Sequence, residues 1–403
     1  MGRYVYYGIK KRFGYLKMSD AGQDKEGIGG YDLKGGRMRA DRRRLALFTT
    51  FLGSGGAERV TANLARGFRD YGLQVDLVLT RSGPRQYEMP SGVRLIDIGA
   101  PRIYAALPGI IRYLRQAQPE IVLSADAAVN VTVLLAWRLA CSRARVFVAE
   151  HSILTEATKN SRDWRMKILP VFIRKTYPWA EGIVAVSKGA ANDLLKIANI
   201  PKHKVYVVYN PVISEELFIK AEQPLNHPWF RKGEPPVILS VGRLTTPKDF
   251  PTLIRAFALV RKERPARLMI LGEGKDRAQL ETLVRELRLE EDVALLGFVA
   301  NPYQYMKRAA VFVLSSRWEA LPTVLIEAMA CGCPVVSTDC PSGPAEILEN
   351  GKWGRLAPVQ SPEPLAKAIL ETLEHPIYGT ERAKQFSLER ATQEYLRLLG
   401  VVK

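Results

Sequence analysis

Two glutamates stand eight positions apart in "SSRWEALPTVLIEAMACGCPVVSTD" (315–339). Glu319 precedes a segment that begins as a helix near Pro322, and Glu327 lies within that helix, over two helical turns further along the chain than Glu319. Ser315 and Ser316 end one apolar run and Pro334 to Ser337 begin another, so the pair surrounds the start of a helix that follows a buried strand. Carboxylates accept paired hydrogen bonds from neighbouring hydroxyls, and free amides at a helix start attract phosphate. Pro322 has no N–H, which leaves the amides of Leu321, Thr323 and Val324 for that task. Taken alone, the spacing is better explained by a capping acid and an ordinary helix-face glutamate.

Other residues of the same chemical leaning recur at strand ends. "SVGRLTTPKDF" places Arg243 and Lys248 just past an apolar run, a fork and a point charge that suit a diphosphate or, equally, a salt-bridged surface loop. "LGEG" ends the next run with Gly272 and Gly274, which permit close backbone approach. Gly53-Ser54-Gly55-Gly56-Ala57-Glu58 is a glycine-rich turn opening a helix and a weak phosphate signal. It departs from the dinucleotide fingerprint at Glu58, and "QVDLVLT" ends without an acid for a ribose, which counts against an oxidoreductase. A nucleotide-sugar fits the collection: ribose at one glutamate, hexose at the other, diphosphate between.

These residues need a scaffold that brings strand ends together. From Leu45, apolar strands ("RLALFTTF", "QVDLVLT", "EIVLSA", "RVFVAE", "GIVAVS") alternate with amphipathic helices, the pattern of a parallel sheet covered on both faces. Residues 212–235, rich in proline and charge, read as a linker. A second alternation follows: "PVILSVG", "RLMILGEG", "VALLGF", "VFVLSS" and "PVVSTD". The expected architecture is α/β, with two doubly wound Rossmann-like domains, 45–211 and 236–378, facing across a cleft. A final helix within 379–403 can dock on either domain. Ligands sit at the carboxyl ends of such strands. That rule also draws in His151 of "VAEHS", and Asp126 and Asn130 of "SADAAVN" as acceptor contacts.

The chain has 403 residues, 47% hydrophobic, and a net charge of +18, which suggests an anionic partner: nucleic acid, acidic lipid or a phosphorylated small molecule. Residues 1–44 hold twelve Lys/Arg against five acids, with Tyr and Phe among the cations, and read as a solvated leader or as one that adheres to anionic headgroups. Two further stretches, 101–116 and 163–181, mix aromatic and basic residues. Each is a sheet-covering helix or part of a face resting on lipid. No apolar run approaches the roughly 20 residues that span a bilayer, and no signal peptide is visible. Cys141, Cys331, Cys333 and Cys340 form neither a disulfide framework nor a tetrahedral metal site, so burial and a cytosolic setting are expected.

"SGGAERV", "SVGRL…K", "LGEG" and "RWEALPTVLIEAMACGCPVVSTDCPSGPAEIL", in this order over residues 45–400, resemble glycosyltransferase family 4, the retaining enzymes of the GT-B fold. The likeness is greatest to enzymes that extend lipid-linked glycans or bacterial surface polysaccharides. It implies that Glu327 binds the ribose hydroxyls and Glu319 the donor-sugar hydroxyls, while Arg243 and Lys248 neutralise the departing diphosphate. Gly55 and Gly56 fall where the family's first loop meets the diphosphate and acceptor, and the backbone around Phe298 where it holds the base. His151 falls beside the reacting centre, at the donor hydroxymethyl or the acceptor. Relatives often carry Gly after the first glutamate where this chain has Ala320, so the donor sugar is left open.

The expectation is a retaining hexosyltransferase that uses a UDP-linked donor and a lipid-linked acceptor on the cytoplasmic face of a membrane. Retention rests on the resemblance alone. The chain lacks a DxD triplet, so no metal cofactor is expected. A nucleotide-sugar epimerase of the same fold is the alternative. A basic nucleic-acid-binding protein is a more distant one, without an RNP, KH, zinc or helix-turn-helix signature to support it.

Overall fold

The computed structural model describes residues 43–53, 56–83, 91–161 and 163–402. Most of the basic leader, together with Ser54 and Gly55, lies outside the described residues.

Two parallel sheets organise the chain. The first joins β1 (Arg44–Thr49), β2 (Gln74–Leu79), β3 (Arg94–Asp97), β4 (Ile121–Ala125), β5 (Arg145–Glu150), β6 (Gly182–Ala185) and β7 (Val205–Val207) in the order β3-β2-β1-β4-β5-β6-β7. The second joins β8 (Val237–Val241), β9 (Arg267–Leu271), β10 (Val293–Gly297), β11 (Val311–Leu314), β12 (Val335–Thr338) and β13 (Arg355–Ala357) in the order β10-β9-β8-β11-β12-β13. Strand order reverses between β1 and β4 and again between β8 and β11, creating a crevice at each switch point. Central strands such as β4 and β12 are buried along their whole length, as helices on both faces require.

The expected two doubly wound sheets are therefore present, and the sheets gain three short strands. β3, β7 and β13 have four, three and three residues, and each of the three lies at a sheet edge. Half-exposed edges need no continuous apolar run, so the hydrophobic pattern passes over them.

Helix α1 (Gly56–Tyr71) shows how local sequence sets an element. Val60, Leu64 and Phe68 recur every four residues and are buried, forming one apolar stripe. The helix stops at Gly72, whose φ of +107° is open to glycine, with the amide of Leu73 donating back to the Phe68 carbonyl at 3.1 Å.

The stretch read as a linker is packed rather than loose. Val212, Ile213, Leu217 and Ala221 are buried in a core shared with Leu239, Phe312 and Ile326 of the second sheet layer. Ile213 also pairs with Ser387, and the amide of Leu388 donates to the Ile213 carbonyl at 2.9 Å. The two chain crossings between domains thus run side by side. After the second crossing, helix α5 (Leu388–Leu398) docks on the first domain. Tyr395 meets Phe68 of α1 edge-on at 6.1 Å, and Gly67 leaves room for Thr392, whose Oγ1 would stand 2.2 Å from an added Cβ. Between them in sequence lie α2 (Ala127–Ala140) and α3 (Trp164–Thr176) of the first domain and α4 (Thr323–Ala330) of the second.

Candidate active site

The loops after β8 and β9 interlock before any ligand is considered. Gly272 has φ +143°, and an added Cβ would stand 2.0 Å from the Gly242 carbonyl oxygen; one on Gly274 would stand 2.2 Å from that of Leu244. The close approach these glycines permit is to the neighbouring loop. The Leu244 amide seals it by donating to the Glu273 carbonyl at 2.9 Å. Gly272 and Gly274 therefore fix the backbone that carries Arg243 and Lys248. Phe298, one residue past β10, is 58% exposed on the side of the edge strand.

Lys248 and Glu319 meet at the second switch point. Lys248 Nζ lies 2.5 Å from Glu319 Oε1, which also accepts from Ser316 Oγ at 2.7 Å. Ser315 Oγ donates to the Lys248 carbonyl at 2.8 Å, so the end of β11 holds both partners. Arg243, on the same loop after β8 as Lys248, is exposed. The arrangement offers a paired cation and carboxylate just ahead of a helix start, with Arg243 on the loop that carries the cation.

That mouth is the start of α4. Its first amides, Thr323 and Val324, have no carbonyl within the helix to meet, and Leu321 lies just ahead of them. Thr323 is also where the first domain arrives: a Cβ on Gly56, the first residue of α1, would stand 3.1 Å from Thr323 Oγ1. Two helix N-termini, each with about half a positive charge, thus abut. An anion placed there is favoured from both domains. Gly55, the neighbouring glycine of the loop, lies outside the described residues.

Glu327, one turn into α4, is 1% exposed. Its Oε1 accepts from Arg59 of α1, which also reaches the Tyr303 hydroxyl. Oε2 makes no hydrogen bond of good geometry, although the Thr323 hydroxyl one turn earlier lies near enough to favour the charged form. Burial pushes the carboxyl above its usual range, and Arg59 opposes that.

On the first domain the strand ends separate the expected residues. His151 follows β5 with a buried Nδ1 that lacks a partner, and burial pushes its imidazole down to about 4. Asp126 is exposed at the end of β4, but its carboxylate caps α2 by accepting from the Ala128 amide at 3.1 Å. Asn130 does not face the cleft, contrary to the expectation of an acceptor contact. It is fully buried, donates to the Ala149 carbonyl (2.8 Å) and the Tyr177 hydroxyl (3.0 Å), and accepts from Ser124 Oγ at 2.6 Å. One helical turn into α2, it points back under the sheet instead of out past the strand end.

Sequence reasoning missed Arg59, Tyr303, Ser316 and Glu150. A cation in the first turn of a helix opposes the dipole, which is the one signal that marks Arg59. Glu150 is 1% exposed, accepts from Ser152 Oγ (2.6 Å) and the Tyr177 hydroxyl (3.1 Å), and burial lifts its carboxyl to about 7. No spacing in the sequence distinguishes it from a strand-end acid in solvent. Among the described residues, no group of three or more His, Cys, Asp or Glu could hold a metal ion. Cys333 and Cys340 are buried, and burial pushes their thiols up.

Known proteins resemble the chain across both domains. The family model "Glycosyltransferase Family 4" matches residues 54–216, and "Glycosyl transferases group 1" matches 224–391. A Campylobacter jejuni protein, N-acetylgalactosamine-N,N'-diacetylbacillosaminyl-diphospho-undecaprenol 4-alpha-N-acetylgalactosaminyltransferase, is 30% identical over 89% of this chain and 99% of its own. The amylovoran biosynthesis glycosyltransferase AmsD of Erwinia amylovora is 28% identical over 76% of this chain and 83% of its own. Among solved structures, sucrose-phosphate synthase from Thermosynechococcus elongatus superposes with a TM-score of 0.75 at 20% identity, covering 90% of this chain and 100% of that one. Anabaena HepE in complex with UDP and glucose gives 0.71 at 20% identity, with the same coverage. The fold is GT-B.

Proposed function

Since the chain belongs to glycosyltransferase family 4, we propose that it moves a hexose from a UDP-linked donor to a lipid-linked glycan at a membrane surface, with retention of anomeric configuration. The observation that carries this reading is the meeting of α1 and α4 at their N-termini, with the Lys248–Glu319 pair ahead of α4 and Glu327 buried within it. A diphosphate occupies the meeting point. Leu321, Thr323 and Val324 donate amides to it, and Arg243 and Lys248 balance the charge that grows as it departs. These protein cations and helix ends supply the positive charge, so the proposed route is metal-independent.

On this reading Glu327 accepts the ribose hydroxyls and Glu319 the hexose hydroxyls. The acceptor hydroxyl attacks the anomeric carbon from the leaving-group side, the carbon–oxygen bond to the diphosphate breaks, and a phosphate oxygen takes the acceptor's proton. His151 is neutral through the physiological range, so it donates or accepts a hydrogen bond to a sugar hydroxyl and does not deliver a proton. The name of the Campylobacter relative describes an undecaprenol-diphosphate glycan as acceptor, and HepE binds UDP; both support the substrate classes. The epimerase alternative draws no support from the relatives reported above.

The membrane part rests on α3. Trp164, Ile168, Val171 and Phe172 are 62, 39, 50 and 44% exposed and form one stripe along the helix, with Lys167, Arg174 and Lys175 alongside. Its other face, Leu169 and Ile173, fills the first-domain core. An apolar stripe bordered by cations suits an anionic lipid surface. The helix Leu107–Ala117 within the other candidate stretch differs: Ile110 and Leu114 are buried, so it covers the sheet. No helix among the described residues is long and apolar enough to cross a membrane.

Calorimetric titration of UDP, GDP and ADP into the wild type and Glu327→Ala tests the donor assignment. Micromolar binding of UDP that is lost in the variant is expected. Binding that ignores Glu327, or an absence of nucleotide binding, overturns it.

A further inference from the structure

The Arg59–Glu327 pair crosses from one domain to the other. The two residues are 268 positions apart, and the carboxylate side chain is 1% exposed against 24% for the guanidinium. A charged carboxylate buried to that degree needs a partner. Within the second domain the Thr323 hydroxyl also favours the charged form, but the one cation that does so, Arg59, comes from α1 of the first. Arg59 is in turn placed by Tyr303, whose hydroxyl it reaches and over whose ring its guanidinium carbon sits at 5.9 Å. A cation in the first turn of α1 opposes the helix dipole, so the position costs stability unless such a pair offsets it. The geometry also divides the carboxylate. Oε1 is held by Arg59, whereas Oε2 is buried without a hydrogen bond.

We propose that Arg59 is a positioning residue for the donor, contributed across the cleft. Its guanidinium holds Glu327 by Oε1 and leaves Oε2 for the pentose hydroxyls, so the second domain's nucleotide site is incomplete without the first domain's helix. This rests on the reading of Glu327 as the ribose-binding group. A competing arrangement, in which Arg59 blocks Glu327 until a ligand displaces it, makes the opposite prediction and is decided by the same test.

The experiment is calorimetric titration of UDP into the full chain as wild type, Arg59→Ala, Arg59→Lys and Tyr303→Phe, with donor and acceptor KM and kcat for each. Arg59→Ala is expected to raise the UDP Kd about tenfold, in line with loss of a charge-assisted contact. Arg59→Lys should recover part of that, and Tyr303→Phe should give a smaller loss. Donor KM should rise while acceptor KM stays constant, a split that a merely structural role would not give. In a Glu327→Gln background, Arg59→Ala should add less than about twofold, because the two residues act as one unit. Unchanged or tighter UDP binding in Arg59→Ala, or a loss that persists undiminished without Glu327, overturns the inference. Wild-type protein that binds no UDP overturns the donor reading itself, and this inference with it. Should Arg59→Ala fail to fold, the lysine and phenylalanine variants decide the matter in the same way.

Discussion

Lys248 Nζ and Glu319 Oε1 stand 2.5 Å apart, with 20% and 15% of their side chains exposed. The contact ties the loop after β8 to the loop after β11, the two strands that flank the second switch point. The cation thus has a carboxylate neighbour and a fixed direction before any diphosphate arrives. Fixed charge of this kind stabilises a transition state without reorganisation.

Replacing Lys248 with alanine should lower kcat about 100-fold and alter donor KM far less, because charge on the leaving diphosphate grows only as the bond breaks. Steady-state kinetics at saturating acceptor give the answer. An effect confined to KM would show that Lys248 merely binds the ground state.

Gly272→Ala should destabilise the chain by about 3 kcal/mol and lower activity with it. A φ of +143° disfavours any side chain, and the new methyl would collide with the Gly242 carbonyl, displacing the loop that carries Arg243 and Lys248. Urea denaturation measures the stability. A variant as stable and active as wild type would mean the two loops are not locked together.

The acid dependence of stability should reveal two opposed neighbours. His151 titrates at about 4 in the fold against 6.5 ordinarily, so the unfolded chain gains a proton first and stability falls as pH drops from 6.5 to 4. Glu150 titrates at about 7 against 4.5, so the unfolded chain loses its proton first and stability falls as pH rises from 4.5 to 7. The slopes largely cancel in the wild type. In Glu150→Gln only the histidine limb remains, and stability at pH 8 relative to pH 5 should rise by about 3 kcal/mol. Urea midpoints across that range test it; an unchanged pH profile would mean that Glu150 is ionised throughout.

Trp164→Ser combined with Phe172→Ser should reduce sedimentation with anionic vesicles several-fold and leave UDP binding unchanged, since both side chains are exposed on the face of α3 opposite the one that packs in the core. Equal sedimentation would remove α3 as the lipid-facing element.

Alternation of apolar runs with amphipathic helices determined the two sheets, because a parallel strand buried on both faces has no choice but a continuous apolar run. The glutamate pair, Arg243, Lys248 and the glycine-rich turns stood out as candidates for a similar reason, each being a residue type that a core helix or strand end does not need, although their spacing alone did not set them apart from caps and surface loops. Edge strands β3, β7 and β13 were not legible, since half-exposed backbone pairing leaves no such mark. Only the tertiary structure decided which of those residues meet. Lys248 finds Glu319 through the adjacency of β8 and β11, and Arg59 finds Glu327 through the abutment of α1 and α4. It also moved Asn130 from the cleft into a buried hydrogen-bond network and docked the last helix on the first domain. Composition and periodicity report what one residue's surroundings must be like; which distant residue supplies them is settled by packing.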